Sequence, residues 1–152
     1  MFWQYLILFN TAFFATLLAI IDYKTQLLPN KWVFALLLSN LFLILFTDNF
    51  TILHSFNSII KAFIVFLFYL LIYFLSKKTF GLGDVKYSFA LTLPLVYFYD
   101  LSQIVSLHFW AFILGGVFSI YLIIFKSFKS NQAIAFGPFM TIAYFLFLVL
   151  NL

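Results

Sequence analysis

The chain has 152 residues, of which 66% are hydrophobic, 24% aromatic and 8% charged, with a net charge of +4. A soluble domain averages about 25% charged and about 45–50% apolar residues. Too little polar surface is left here to cover a water-exposed globule, so the composition assigns an all-α, polytopic membrane protein. There is no cysteine, which excludes disulfides, zinc–thiolate sites and cysteine nucleophiles. His54 and His108 are the only histidines, so neither a metal nor a cofactor is expected. Lysine is the only cationic side chain, and no long basic face exists, which speaks against nucleic acid binding.

The apolar runs follow one another with short connections. A spanning helix needs roughly 20 apolar residues. The first run, 2–21, lacks a basic leader and a small-residue cleavage site and reads as a retained span. The second is 32–47. The third runs from about 59 to 75, with Lys61 able to snorkel at its start. The fourth is 85–99, with Pro94 as an expected kink, and the fifth is 101–125. As one helix, 87–125 would be roughly 58 Å long, about twice the hydrocarbon core, so they are two spans, or one span and a surface helix. The sixth is 133–150. The pattern gives six spans, with four or five as the alternatives, in a single domain over residues 1–152.

Lysine placement orients the spans. The connections at 22–31, 76–86 and 126–131 fall on one side of a six-span arrangement. They hold seven of the eight lysines: Lys24, Lys31, Lys77, Lys78, Lys86, Lys126 and Lys129. The other side has Lys61, Asp48 and Asp100. That bias puts the lysine-rich side in the cytoplasm, both termini outside, and Asp22 and Asp84 at the same cytoplasmic border.

Only four residues are acidic. A carboxylate inside a span costs roughly 2.5–3.5 kcal/mol and less near the interface, so border acids are candidates for function by default. Asp48 and Asp100 read as turn or N-cap residues on the outer face. Asp22 alone reads equally well as a helix-end residue facing headgroups. Asp84 follows Gly81 and Gly83, and glycine permits positive φ and close backbone approach. The plainer reading of Gly81–Asp84 is a turn that starts a helix with Asp84 as its N-cap. Two carboxylates brought together share one proton. One then takes a proton from water while the other polarises a carbonyl, which is peptide hydrolysis without serine, cysteine or metal.

Three stretches together resemble the type IV prepilin peptidases. The first is Asp22 followed by Leu27-Leu28-Pro29-Asn30, the second Gly81-Leu82-Gly83-Asp84-Val85-Lys86, and the third Phe136-Gly137-Pro138-Phe139. The resemblance implies a membrane aspartic endopeptidase with Asp22 and Asp84 as its catalytic pair. It implies Gly81, Gly83, Lys86, Pro29, Asn30, Gly137 and Pro138 as supporting motif positions. It implies cleavage at the cytoplasmic face of the cell membrane, with a pilin-like precursor carrying a hydrophobic N-terminal helix as partner beside the lipid bilayer. Methyltransferase activity is not expected, because the four-cysteine portion that accompanies it in many relatives has no counterpart here. Ala135 stands where a proline often precedes the third motif, and Leu91-Thr92 replaces a small-residue stretch.

Several positions carry two readings. Lys86 either holds Asp84 or the substrate's charge, or is a snorkelling interface lysine, the preferred reading. Pro29-Asn30 reads as a helix-start device, Gly137-Pro138 as a helix break near the border, and Gly115-Gly116 as a close helix crossing. Lys77-Lys78 reads as an orientation signal or an anionic-lipid contact. The competing class is a non-enzymatic transporter subunit or assembly factor with the aspartates as ion relay or helix glue. A transport site is expected near mid-membrane, often with a repeat, and neither is legible here.

Overall fold

The computed structural model of the protein describes residues 2–48, 50–77, 80–126 and 134–151, with the Lys126 side chain outside the description. Lys78, Lys129, Asn49 and Ala133, on which readings of lipid contact, orientation, the outer turn and the start of the sixth span rest, lie outside the described residues. Each expected apolar run gives one helix: α1 (Phe2–Thr25), α2 (Asn30–Ile44), α3 (Ile52–Leu75), α4 (Leu82–Val96), α5 (Leu101–Lys126) and α6 (Gly137–Asn151). The described residues contain no strand. Helices α1, α3 and α5 are long and apolar enough to cross a membrane. The other three have 15 residues each. At about 1.5 Å per residue that is roughly 22 Å, short of the ~30 Å hydrocarbon core.

Several boundaries differ from expectation for local reasons. Helix α3 starts at Ile52, a full two turns early, because the Thr51 side chain accepts the His54 N–H at 3.1 Å and caps it. Lys61 therefore sits within the helix and not at its start. Pro94 falls in the last turn of α4. Asp48 lies in a turn. Asp100 precedes α5, where the Gln103 side chain reaches back to its backbone N–H at 3.1 Å, half of a capping box. Gly137 and Pro138 do not break a helix; they begin one. In the first turn the missing proline N–H has no intrahelical partner to lose.

The helices alternate in direction. At one end Trp3 stacks on Phe46, the Thr47 and Tyr97 hydroxyls lie 2.9 Å apart, and Gln103 donates to Asn151 at 3.0 Å. At the other end the close of α1 meets the starts of α2, α4 and α6. Helix α4 packs against each of the other five. Its run from Ala90 to Val96 is wholly buried, and small or hydroxylated residues (Ser88, Ala90, Thr92) let its neighbours approach. Large apolar side chains such as Phe9, Phe13, Phe42 and Val149 point outward, while Thr11, Asn40, Ser88, Thr92, His108 and Thr141 are buried. A lipid-solvated bundle has no reason to hide hydrocarbon, and every reason to hide polar groups.

The interior polar groups are joined across helices. Asn10 Nδ2 donates to Ser39 Oγ at 2.8 Å and to Asn40 Oδ1 at 2.9 Å, and Asn40 Nδ2 donates to Thr11 Oγ1 at 3.0 Å. These bonds clamp α1 to α2. Tyr144 donates to the Leu8 carbonyl at 2.7 Å and Thr141 to the Ala15 carbonyl at 3.1 Å, clamping α6 to α1. Replacing Asn40→Ala removes two of the three α1–α2 bonds, leaving Asn10 with Ser39 alone and Thr11 without its Asn40 donor. A loss of about 1 kcal/mol is expected in reversible detergent unfolding; the exposed Phe42→Ala is expected to change stability by less than half of that.

Candidate functional site

Asp22 lies one turn before the end of α1 and is only 4% exposed. The chain leaves the helix at Gln26, a non-glycine residue in the left-handed region with φ 52°, whose N–H bonds the Asp22 carbonyl at 2.7 Å. The turn carrying Asp22 is thus the last of the helix. Its Oδ2 accepts the backbone N–H of Gly137 at 2.8 Å. That N–H opens α6 and has no intrahelical acceptor. Asp22 therefore serves as the cap of a helix 115 positions away in sequence.

Asp84 occupies the third helical position of α4, with Gly81 as the N-cap. This corrects the plainer expectation of Asp84 as the cap itself. Its carboxylate folds back on the Gly81 backbone, the reciprocal half of a capping box. Oδ1 of Asp84 is buried and has no hydrogen-bond partner among the described residues. Buried carboxylate oxygens are rarely left so, since an unpaired one costs about 1–3 kcal/mol or more. The two acids interact electrostatically and line one cleft of about 400 Å³.

The glycines of the motifs act by their missing side chains. Neither Gly81 nor Gly83 has a positive φ, so the conformational part of the expectation is not met. A Cβ on Gly81 would stand 2.6 Å from Asp84 Oδ2, and one on Gly137 would stand 2.8 Å from Asp22 Oδ2. A Cβ on Gly83 would stand 2.9 Å from Leu28 Cβ, where the α1–α2 connection crosses the start of α4. Gly115 packs against the rings of Phe136 and Phe139, as a close crossing requires. Gly116 does not: nothing lies within 4 Å of its would-be Cβ, and it borders open space in the cleft.

The remaining motif residues have definite places. Pro29 caps α2 and Asn30 is its first residue. Lys86 Nζ donates to Asn30 Oδ1 at 3.0 Å. This bond ties the first motif to the second, and Lys86 borders a different groove from the one holding Asp84. Pro138 follows Gly137 in the first turn of α6.

Sequence reasoning missed the aromatic wall. Phe80, Phe112, Phe136 and Phe139 line the cleft, with ring centroids of Phe80 and Phe136 5.3 Å apart and of Phe112 and Phe136 5.0 Å apart. Two of these rings stand inside the third motif and one directly before Gly81, which was the available signal. Behind the wall, Tyr69 packs on Phe80 and Phe136 and its hydroxyl meets His108 Nδ1 at 2.9 Å. His108 Nε2 meets Thr92 Oγ1 at 2.7 Å. With both ring nitrogens engaged and 3% exposure, His108 is a link between α3, α4 and α5 and is not available to a ligand. No group of acids and histidines among the described residues is arranged to hold a metal ion.

The glycine contacts make a contrast that can be measured. Gly83→Ala drives a methyl group into Leu28 Cβ, which has no free end to yield, and is expected to lower unfolding stability by about 1–3 kcal/mol. Gly116→Ala meets open space inside a helix and is expected to be neutral or to gain up to about 1 kcal/mol. Equal effects from the two substitutions would contradict the packing described.

The sequence model of the type IV leader peptidase family matches residues 9–120. That stretch contains Asp22, Pro29-Asn30 and Gly81 through Lys86, and stops short of Phe136–Phe139. None of the curated proteins compared, and none of the solved structures compared, matches the chain. The match extends over more than two thirds of the sequence, through both aspartates and into five of the six helices: the chain belongs to the type IV leader peptidase family.

Proposed function

We propose that the protein is an aspartic endopeptidase that removes the cytoplasmic leader from type IV pilin-like precursors at the inner face of the cell membrane, with Asp22 and Asp84 as its catalytic pair. Membership of the leader peptidase family supports the reaction class. The observation that carries the mechanism is the unpartnered Asp84 Oδ1 in the cleft that Asp22 also lines. An oxygen left without a partner there has the place a water molecule or a scissile carbonyl needs.

In this reading one carboxyl group of the pair is protonated and the other ionised. The ionised group takes a proton from a water molecule, whose oxygen attacks the scissile carbonyl carbon. The protonated group gives its proton to the carbonyl oxygen as the C–N π character is lost. The tetrahedral species then collapses: one of its two hydroxyls returns its proton to the pair as the C=O bond re-forms, the C–N bond breaks, and the departing amine takes a proton from the pair. Charge and protons are restored without any metal or covalent intermediate. The phenylalanine wall keeps bulk water from the pair, which strengthens each electrostatic interaction inside. The lysine-rich end of the bundle, where the cleft lies, supports the cytoplasmic placement.

Asp22 also caps α6, so loss of activity on its replacement needs a variant that keeps the cap. Asn does so, because its side-chain oxygen still accepts the Gly137 N–H. Asp22→Asn and Asp84→Asn are each expected to reduce leader removal by about 10³-fold or more while leaving the protein folded. Asp48→Asn and Asp100→Asn are expected to be nearly silent. The assay is the mass shift of co-expressed pilin precursors, and near-normal cleavage by either Asp22→Asn or Asp84→Asn would rule the mechanism out. For the wild type a bell-shaped pH–rate profile is expected, whose two limbs belong to the pair and not to either residue.

A further inference from the structure

A second cavity of about 540 Å³ lies away from the acid cleft, between α2, α3 and α4. Its body is hydrocarbon: Val33, Phe34, Leu37, Phe66 and Phe89. Its mouth is cationic, with Lys31 and Lys86 both lining it and both exposed, and no acidic residue lines it. The two ammonium groups are held in place. Lys86 Nζ is tethered to Asn30 Oδ1 at 3.0 Å, and Lys31 Nζ sits over the Trp32 ring, 5.6 Å from its centroid. Lys31 is the second residue of α2 and Lys86 the fifth of α4, both at the lysine-rich end of the bundle.

We infer that this groove is a specific binding site for one anionic phospholipid, its phosphate headgroup between Lys31 and Lys86 and an acyl chain along Phe34, Leu37 and Phe66. The charge complementarity decides the occupant. A basic leader segment is repelled by two lysines, and a neutral lipid gains nothing from them. Cationic pockets between membrane helices on the cytoplasmic side suit anionic headgroups, and each lysine near the surface contributes roughly a five-fold preference. Lys86 follows Asp84 by two residues, and Asn30 follows Leu28, which crosses Gly83. A phosphate bridging Lys31 and Lys86 therefore fastens the start of α2 to the start of α4 behind the acid cleft. This inference concerns binding and stands apart from the peptidase mechanism.

Trp32 provides the probe. The full chain carrying Trp3→Phe and Trp110→Phe retains Trp32 as its one tryptophan. It is placed in phosphatidylcholine nanodiscs doped at equal mole fraction with brominated phosphatidylglycerol or brominated phosphatidylcholine. Quenching of Trp32 is expected to report at least a ten-fold preference for the anionic lipid. Lys31→Gln with Lys86→Gln is expected to bring that preference close to one, and Lys61→Gln, outside the groove, to leave it unchanged. Equal quenching by the two lipids, or a preference that survives the double substitution, would overturn the inference. Displacement of the brominated lipid by inorganic phosphate alone would assign the site to a free anion, and displacement by a precursor's hydrophobic helix would assign it to substrate. Either result also overturns it.

Discussion

One hydrogen bond ties the first and last helices together at the acid cleft: the backbone N–H of Gly137 to the carboxylate of Asp22. It joins the last turn of the first helix to the first turn of the sixth. The bond is buried, and a buried backbone donor left unsatisfied costs about 1–3 kcal/mol. The bond forms only because position 137 carries no side chain, since a Cβ would stand 2.8 Å from the accepting oxygen. The result sets an acid at a helix terminus that faces the start of α4, where Asp84 lies. The bond that ties the first helix to the last at this end therefore also holds one wall of the acid cleft.

The rest of the interior serves that arrangement. Helix α4 is the axis and carries Asp84 at its mouth, Thr92 at mid-depth and Tyr97 at the far end. The contact of Tyr69 and Thr92 with His108 draws three helices together behind Phe80 and Phe136. Tyr87 brings in a fourth helix, its hydroxyl 3.1 Å from Thr141 on α6. A bundle surrounded by hydrocarbon cannot be held by hiding apolar surface, so it relies on close packing and on bonds of this kind. That explains why so apolar a chain spends its few polar side chains on the inside.

Much of this was legible beforehand. Six apolar runs became six helices because runs of this length have one stable form in a membrane. Asp22 and Asp84 were distinguishable from Asp48 and Asp100 by the lysine bias and by the motifs around them. The roles of the glycines were not legible, because they depend on which atom lies opposite, and sequence does not show that. Gly115 and Gly116 are neighbours of one type, yet one is packed against two rings and the other faces open space. The partner of Lys86 was hidden for the same reason, since Asn30 is 56 positions away. Asn40 and His108 gave no periodic signal, because a lone polar residue in an apolar helix reads alike whether it faces lipid or a partner. The early start of α3 was missed because hydropathy outweighed a capping threonine.

The central claim is that Asp22 and Asp84 stand side by side in the folded chain, and the absence of native cysteine permits a direct test. Asp22→Cys with Asp84→Cys, treated in native membranes with a short bifunctional thiol reagent, is expected to form an intramolecular cross-link in high yield. Asp22→Cys with Asp100→Cys, at opposite ends of the bundle, is expected to form none. Failure of the first pair to link while both thiols remain reactive, or equal linking by the two pairs, would contradict the account.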